Sequence, residues 1–431
     1  MKKIGVVAQY LDSRNDIREV IRHLAQNHQV QLYLRKNDLE KAVPGTAVRE
    51  ITARRKTLKN ELLARLFYLF GQIPRSRQNY FIVEQFKIAN TKTRRLFKLE
   101  KKTLLFLSRF LPRFISYDQY LDWLDYSPTT PVADVDAFLC FTEIYDDAFL
   151  KHLLRTGKPT FVYVYSWDHP CKMPRFSRRV QRYLVWNEGL REDMVQLQGI
   201  PCTHVRVVGS SQLAYIAEFR KDPAADAPPF PFDYLYFGCA TGTPGLVKQE
   251  VGIIAQLAAA LAEAFPGLRL VVRPYPFLGA WHLYEPLRAY DNVYFDDAYR
   301  TTSSSAALTR QQIYEKFVKI KHAKAFIHIG TTMGYEATYF DTPVLQVNFQ
   351  VPGGGAENLH GFIHQYQNDK YLMPEGYPNV VTDARDFREK ITRLLAAPGE
   401  FLRYNRHVAG QTRVADFDGF CQALLEGMHH G

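Results

Sequence analysis

The chain has 431 residues, 46% of them hydrophobic and 23% charged, with a formal net charge of +11. That length exceeds one typical domain and the apolar fraction supplies real cores, so two domains are expected and wholesale disorder is excluded. The basic excess favours anionic partners (nucleotide phosphates, anionic lipid or nucleic acid) without choosing among them. Five scattered cysteines, odd in number and without a CxxC pair, argue for a reducing compartment and against a disulfide framework or a zinc site.

The opening MKKIGVVAQYLDSRND has too short an apolar run for a signal peptide, and Asp12, Arg14 and Asp16 interrupt it, so 4–8 reads as a first strand. No run of apolar residues approaches the length of a membrane span. A helix over 16–27 and a strand over 30–34 complete the β-loop-α-β start of a doubly wound sheet. Residues 52–115 break that pattern, being rich in Lys, Arg and aromatics and punctuated by Pro74 and Pro112. There Leu104, Leu105, Leu107, Phe110, Leu111 and Phe114 interleave with Arg109 and Arg113. Two readings stand: a basic amphipathic element for an anionic membrane surface, or an inserted helical hairpin packed on the sheet with its cations solvated.

The sheet resumes at 137–141, with a helix over 146–155. The strand 160–165 then delivers Ser166-Trp167-Asp168-His169-Pro170 into a loop. A carboxylate half-buried beside an aromatic suits a general base, which makes Asp168 the candidate; the alternative is a loop cap. Glu143 and the Asp146-Asp147 pair are competing carboxylates, and His169 is a secondary candidate. A strand over 183–186, a helix over 189–198 and a strand over 205–208 lead to Ser210-Ser211, which either hold a phosphate or turn the chain. The Pro- and Ala-rich 221–233 reads as an interdomain linker.

Beyond it the pattern restarts. A strand over 234–238, a helix over 248–265 and a strand over 268–272 end at Arg273-Pro274-Tyr275-Pro276; a further strand over 292–295 and a helix over 311–319 follow. A strand over 325–329, a turn at Gly330-Thr331-Thr332, a helix carrying Glu336, a break at Asp341-Thr342-Pro343 and a strand over 344–347 then make a βαβ unit. In parallel sheets ligands bind beyond the carboxyl ends of the strands. Free N–H groups on Thr331, Thr332 and Met333 therefore suit a phosphate, and Glu336, one turn in, reaches a ribose hydroxyl. Arg273, pointing into the interdomain cleft, would neutralise a diphosphate. The plainer reading is a capped helix in an ordinary α/β domain. His360, after the Gly-rich 352–355, is a candidate phosphate or sugar contact, while His328 reads as a satisfied core histidine. Helices over 383–396 and 415–428 close the chain. The expected domains are 1–220, with the 52–115 insertion, then 234–398 and C-terminal helices over 399–431.

The runs SWDHP, RRVQRYLVWNEGLREDMVQLQGIP, VRVVGSSQ, VVRPYP and IGTTMGYEATYFDTPVLQ resemble GT-B glycosyltransferases of bacterial surface-polysaccharide biosynthesis. The match covers 137–212 and 234–365 and leaves out 52–115. The resemblance implies two Rossmann-like domains facing across a cleft; the cysteine usage makes a cytoplasmic enzyme the expectation, and the membrane reading of 52–115 would place it at the inner face of the membrane. It implies a nucleotide-sugar donor on the C-terminal domain and a glycan or lipid-linked acceptor on the N-terminal one. Asp168 would be the base, Arg273 with Thr331 and Thr332 the donor-phosphate contacts, and Glu336 the ribose contact. Two positions depart from the family pattern: His169 stands where Asn is usual, and Tyr275 stands where His is usual, which bears on the donor. No Asp-x-Asp motif stands at a strand end, in keeping with metal-independent transfer and no cofactor besides the donor substrate. The same fold serves polyol-phosphate transferases, sugar-nucleotide epimerases and non-catalytic glycan-binding relatives. No RNA-binding motif accompanies the basic stretch, so nucleic acid is not an expected partner.

Overall fold

The structure is a computed structural model. It describes residues 2–8, 15–35, 42–51, 57–66, 115–125, 134–141, 147–172, 176–222, 227–275, 278–297, 308–349 and 376–429, with a few isolated positions between them. The chain divides into two compact units. One comprises Met1–Phe81, Thr93–Tyr215 and Thr412–Gly431; the other comprises Ile82–Lys92 and Ile216–Gln411.

The first unit is built on seven strands: β1 (Lys3–Val7), β2 (Gln29–Leu34), β3 (Ala47–Glu50), β4 (Ala137–Phe141), β5 (Thr160–Tyr163), β6 (Arg182–Val185) and β7 (Val205–Val207). They pair in the order β3-β2-β1-β4-β5-β6-β7, every pair parallel. Strands covered on both faces become continuous apolar runs, as in the buried AFLCF of β4. Order reverses between β1 and β4, which defines the switch point of this sheet. Its helices include α1 (Asn15–Asn27), α2 (Asp147–Arg155), α3 (Glu188–Gln196) and α4 (Ser211–Phe219). In α1, Ile17, Val20, Ile21 and Leu24 form one buried stripe at helical spacing.

The second unit repeats the plan with β8 (Tyr234–Gly238), β9 (Arg269–Arg273), β10 (Val293–Phe295), β11 (Ala325–His328), β12 (Val344–Val347) and β13 (Val380–Val381), in the parallel order β10-β9-β8-β11-β12-β13. The switch point here lies between β8 and β11. The helices are α5 (Pro244–Ala264), α6 (Arg310–His322), α7 (Thr332–Ala337), α8 (Ala384–Ala396) and α9 (Pro398–Ala409). By length and composition α5 could cross a membrane. Instead it is the core helix of this unit, with Ile253, Ile254, Leu257, Ala258 and Leu261 packed into the main hydrophobic cluster.

Three features differ from the expected organisation. The chain passes between units at Tyr215–Ile216, inside α4, and 221–233 lies within the second unit. There Phe230 and Phe232 stack at 5.3 Å and meet Tyr234 edge-on, which ties the segment to β8. The C-terminal helices part company as well. The α9 residue Asn405 hydrogen-bonds Val344 N–H and the carbonyls of Phe340 and Thr342. The final helix, Phe417–His429, returns to the first unit, where Phe420 meets Tyr163 and Arg182 donates to the Gly427 carbonyl.

Candidate functional site

In the second unit the β11–α7 turn forms as the sequence requires. Gly330 adopts φ +147°, a conformation that side chains rarely accept. Thr331 caps α7, its Oγ1 accepting from Met333 N–H at 3.4 Å, and Gly334 N–H donates to the Thr331 carbonyl. The expectation of a free Met333 N–H is therefore corrected: the cap engages it. With six residues, α7 also has a short dipole. Thr331, Thr332 and Met333 are all half-buried. Gly334 is held against the His328 ring; a Cβ there would lie 2.4 Å from it. His328 is wholly buried, yet neither ring nitrogen has a hydrogen-bond partner. Burial pushes its pKa down to about 3, so it is neutral, and the expected satisfied core histidine is an unsatisfied one.

Two expected donor contacts are occupied by intramolecular partners. Arg273, at the end of β9, is buried, with its Nη1 2.5 Å from Asp296 Oδ2 and its guanidinium 3.7 Å above the Tyr299 ring. Asp296 also receives Lys319 Nζ at 2.6 Å and the Tyr236 hydroxyl at 2.5 Å. Burial alone would raise the Asp296 pKa; Arg273 and Lys319 outweigh it and hold the carboxyl below its usual value. Glu336 is likewise buried, 2.5 Å from Lys316 Nζ. Burial lowers the Lys316 pKa against the pull of Glu336, and Arg273 lowers it further, so the two ion-paired groups feel each other. Three cations (Arg273, Lys316, Lys319) face two carboxylates (Asp296, Glu336) in this buried group. The expectation that Arg273 projects toward a ligand and Glu336 offers an open carboxylate gives way to a buried, ion-paired network, because desolvated charges need partners. Tyr275, beyond it, is exposed, and its carbonyl accepts from Trp281 Nε1 at 3.0 Å.

The loop after β8 has its own anchor. Glu250 of α5 is fully buried and accepts Ala240 N–H at 2.7 Å and the Tyr284 hydroxyl at 2.9 Å. Burial raises its pKa to about 7. A pocket of about 580 Å³ in this unit is lined by residues including Phe219, Pro229, Tyr314 and Lys319. None of the expected donor contacts lines it.

In the first unit Asp168 is half-buried in the loop after β5, and Ser166 Oγ donates to its Oδ1 at 2.5 Å. His169 is buried, its N–H donating to the Ser166 carbonyl. Ser211 is not open to a phosphate: it is fully buried, and its Oγ donates to Asp16 Oδ2 at 2.6 Å. Tyr165 donates to the other Asp16 oxygen at 3.0 Å, and Ser211 N–H donates to the Tyr163 hydroxyl. This polar cluster ties the starts of α1 and α4 to the end of β5. Ser210 is buried beside it. Glu143, Asp146 and His360 lie outside the described residues.

Sequence reasoning missed Asp16, Glu250, Asp296, Lys316 and Lys319. A signal existed for Lys316: it shares a helix face with Ile313, Phe317 and Ile320, where a charge demands a partner. Asp296 follows β10 at the level where Arg273 ends β9, but only knowledge of that pairing reveals it. Among the described residues no group of three or more His, Cys, Asp or Glu could hold a metal ion.

Two parallel sheets of Rossmann order in one chain, each with its covering helices, define the two-domain α/β fold called GT-B. Neither a protein-family model nor a curated protein matches the sequence. Solved structures match its fold. The UDP-GlcNAc 2-epimerase from Neisseria meningitidis bound to UDP-GlcNAc is 12% identical, with a TM-score of 0.52 over 99% of each chain. S. aureus MnaA, in a co-structure with UDP, is 9% identical, with a TM-score of 0.54 over 98% of this chain and 95% of that one. The lipopolysaccharide outer core galactosyltransferase WaaB in its apo form is 14% identical, with a TM-score of 0.46 over 98% and 99%. The first two establish the fold and nothing finer.

Proposed function

We propose that the protein is a glycosyltransferase that moves a sugar from a nucleotide-sugar donor to a glycan or lipid-linked acceptor of a surface polysaccharide. The observation that carries the donor half is the second unit's sheet. Its switch point falls between β8 and β11, and the Gly330–Thr331 turn and the Ala240 loop both stand at the carboxyl ends of those strands. The buried group of Arg273, Lys316, Lys319, Asp296 and Glu336 in the same unit, with one more cation than carboxylates, favours an anionic ligand over a neutral one. A neighbour of the same fold that binds UDP-GlcNAc supports the same donor chemistry.

Asp168 is the proposed base. Its carboxylate is oriented by Ser166, and it stands at the carboxyl end of β5, where this fold places ligands. It would take the proton of the acceptor hydroxyl as the acceptor oxygen bonds to the sugar carbon and the nucleotide phosphate leaves that carbon with the bonding electron pair. Asp168→Asn is expected to lower turnover by roughly 10²–10⁴-fold with nucleotide affinity unchanged; a rate near wild type would move the base elsewhere.

A second reading is favoured by the structure at a TM-score of 0.52, a UDP-GlcNAc 2-epimerase bound to UDP-GlcNAc. In it the protein epimerises the sugar of a free nucleotide sugar. Incubation of the donor alone separates the two: a transferase releases the nucleotide only when acceptor is added, whereas an epimerase changes the sugar without any acceptor.

A further inference from the structure

The stretch 52–115 takes no part in the site described above, yet it holds more than the whole net positive charge of the chain. It contains 16 of the 55 Lys and Arg but 3 of the 44 Asp and Glu, a net +13; the rest has 39 against 41, a net −2. Among the described residues it also holds Leu58, Leu62, Leu99, Phe106, Leu107 and Phe110, which are half of all the exposed large apolar side chains.

At Leu58 and Leu62 this exposure belongs to a built surface. In the helix Leu58–Leu66, Leu63 enters a small core with Tyr120, Leu121 and Leu124. Asn60, fully buried, donates to the Asp125 carbonyl at 2.7 Å and accepts Asp125 N–H at 2.9 Å. That face fixes the helix to the first unit and turns Leu58 (75% exposed) and Leu62 (51%) outward, one helical turn apart. Leu99, Phe106, Leu107 and Phe110 recur at the spacing of one helix face, with the Phe106 and Phe110 rings 5.6 Å apart and both exposed.

We propose that these exposed side chains and the basic stretch that carries them dock on a bilayer surface carrying anionic headgroups. Exposed Leu and Phe on a strongly basic segment match the two parts of such a surface: the side chains enter the acyl boundary and the cations meet the headgroups. A nucleic acid would use the cations but has no use for four exposed leucines, which cannot stack on bases. The inference does not depend on the donor reading, since it rests on neither strand-end loop.

The test is co-sedimentation of the full chain with vesicles of phosphatidylcholine alone and of phosphatidylcholine with phosphatidylglycerol, from low to high salt. The protein is expected to sediment with the anionic vesicles, to stay in solution with the neutral ones, and to be released by salt. Phe106→Ser with Phe110→Ser should weaken partitioning roughly tenfold with little change in melting temperature, because both side chains are more than half exposed. Leu58→Ser with Leu62→Ser should act in the same direction. Absence of sedimentation with anionic vesicles, sedimentation indifferent to both double variants, or retention by random single-stranded RNA alone would overturn the proposal.

Discussion

Arg273 and Asp296 meet at 2.5 Å with both side chains almost wholly buried, and Lys319 closes on the other carboxylate oxygen. Removing Arg273 leaves Asp296 in a desolvated place with Lys319 as its one remaining cation among these contacts, and empties a buried volume. Arg273→Ala should therefore cost about 3–5 kcal/mol of stability, read as a lower urea midpoint. A variant as stable as wild type that had merely lost nucleotide affinity would return Arg273 to direct donor contact. Glu250 gives a prediction in pH. Its carboxyl rises from 4.5 to about 7 because burial penalises the charge and only neutral donors face it, Ala240 N–H, the Tyr284 hydroxyl and the Cys239 thiol. Folding thus favours the protonated form: the contribution is whole below pH 4.5 and lost as pH rises through 7. Relative to Glu250→Gln, the wild type should lose roughly 3 kcal/mol between those limits; parallel stability profiles would contradict this. At this scale the sequence showed where Arg273 and Glu336 stand but not what they touch. Their partners, Asp296 and Lys316, lie 23 and 20 residues away, brought close by strand pairing and helix packing.

The β11–α7 element was legible almost residue by residue, because a glycine, a capping threonine and a proline break are local signals. What escaped was the contact between its strand and its helix. His328, the last residue of β11, fills the space beside Gly334, so Gly334→Ala would drive a methyl into the ring. That change should destabilise by about 1–3 kcal/mol, and His328→Ala in the same chain should recover part of the loss. An alanine at 334 with unaltered thermal stability would show that α7 shifts freely, and the turn would then be a poor platform for a phosphate. Elsewhere β3 gave no sequence signal because its residues, Ala47–Glu50, bury little and show no apolar alternation. The two-residue β13 is too short to carry one.

On the scale of the whole molecule, composition located the charge but not the domain boundary. The fold was legible because apolar strands alternating with helices leave few architectures open, and the two sheets duly follow the same doubly wound order. The boundary was not, since a Pro- and Ala-rich segment reads as a linker whether or not its aromatic rings find partners, as Phe230 and Phe232 do. Nor does a C-terminal amphipathic helix announce which core will receive it. The central claim is that the second unit binds a nucleotide sugar at its strand ends. Its most direct test is thermal unfolding of the full chain with UDP-, GDP-, dTDP-, CDP- and CMP-linked ligands. One nucleotide class should raise the melting temperature in a saturable way, by an amount corresponding to about 2.7 kcal/mol at a hundredfold excess over Kd. No shift with any of the five would contradict the donor site and, with it, the transferase.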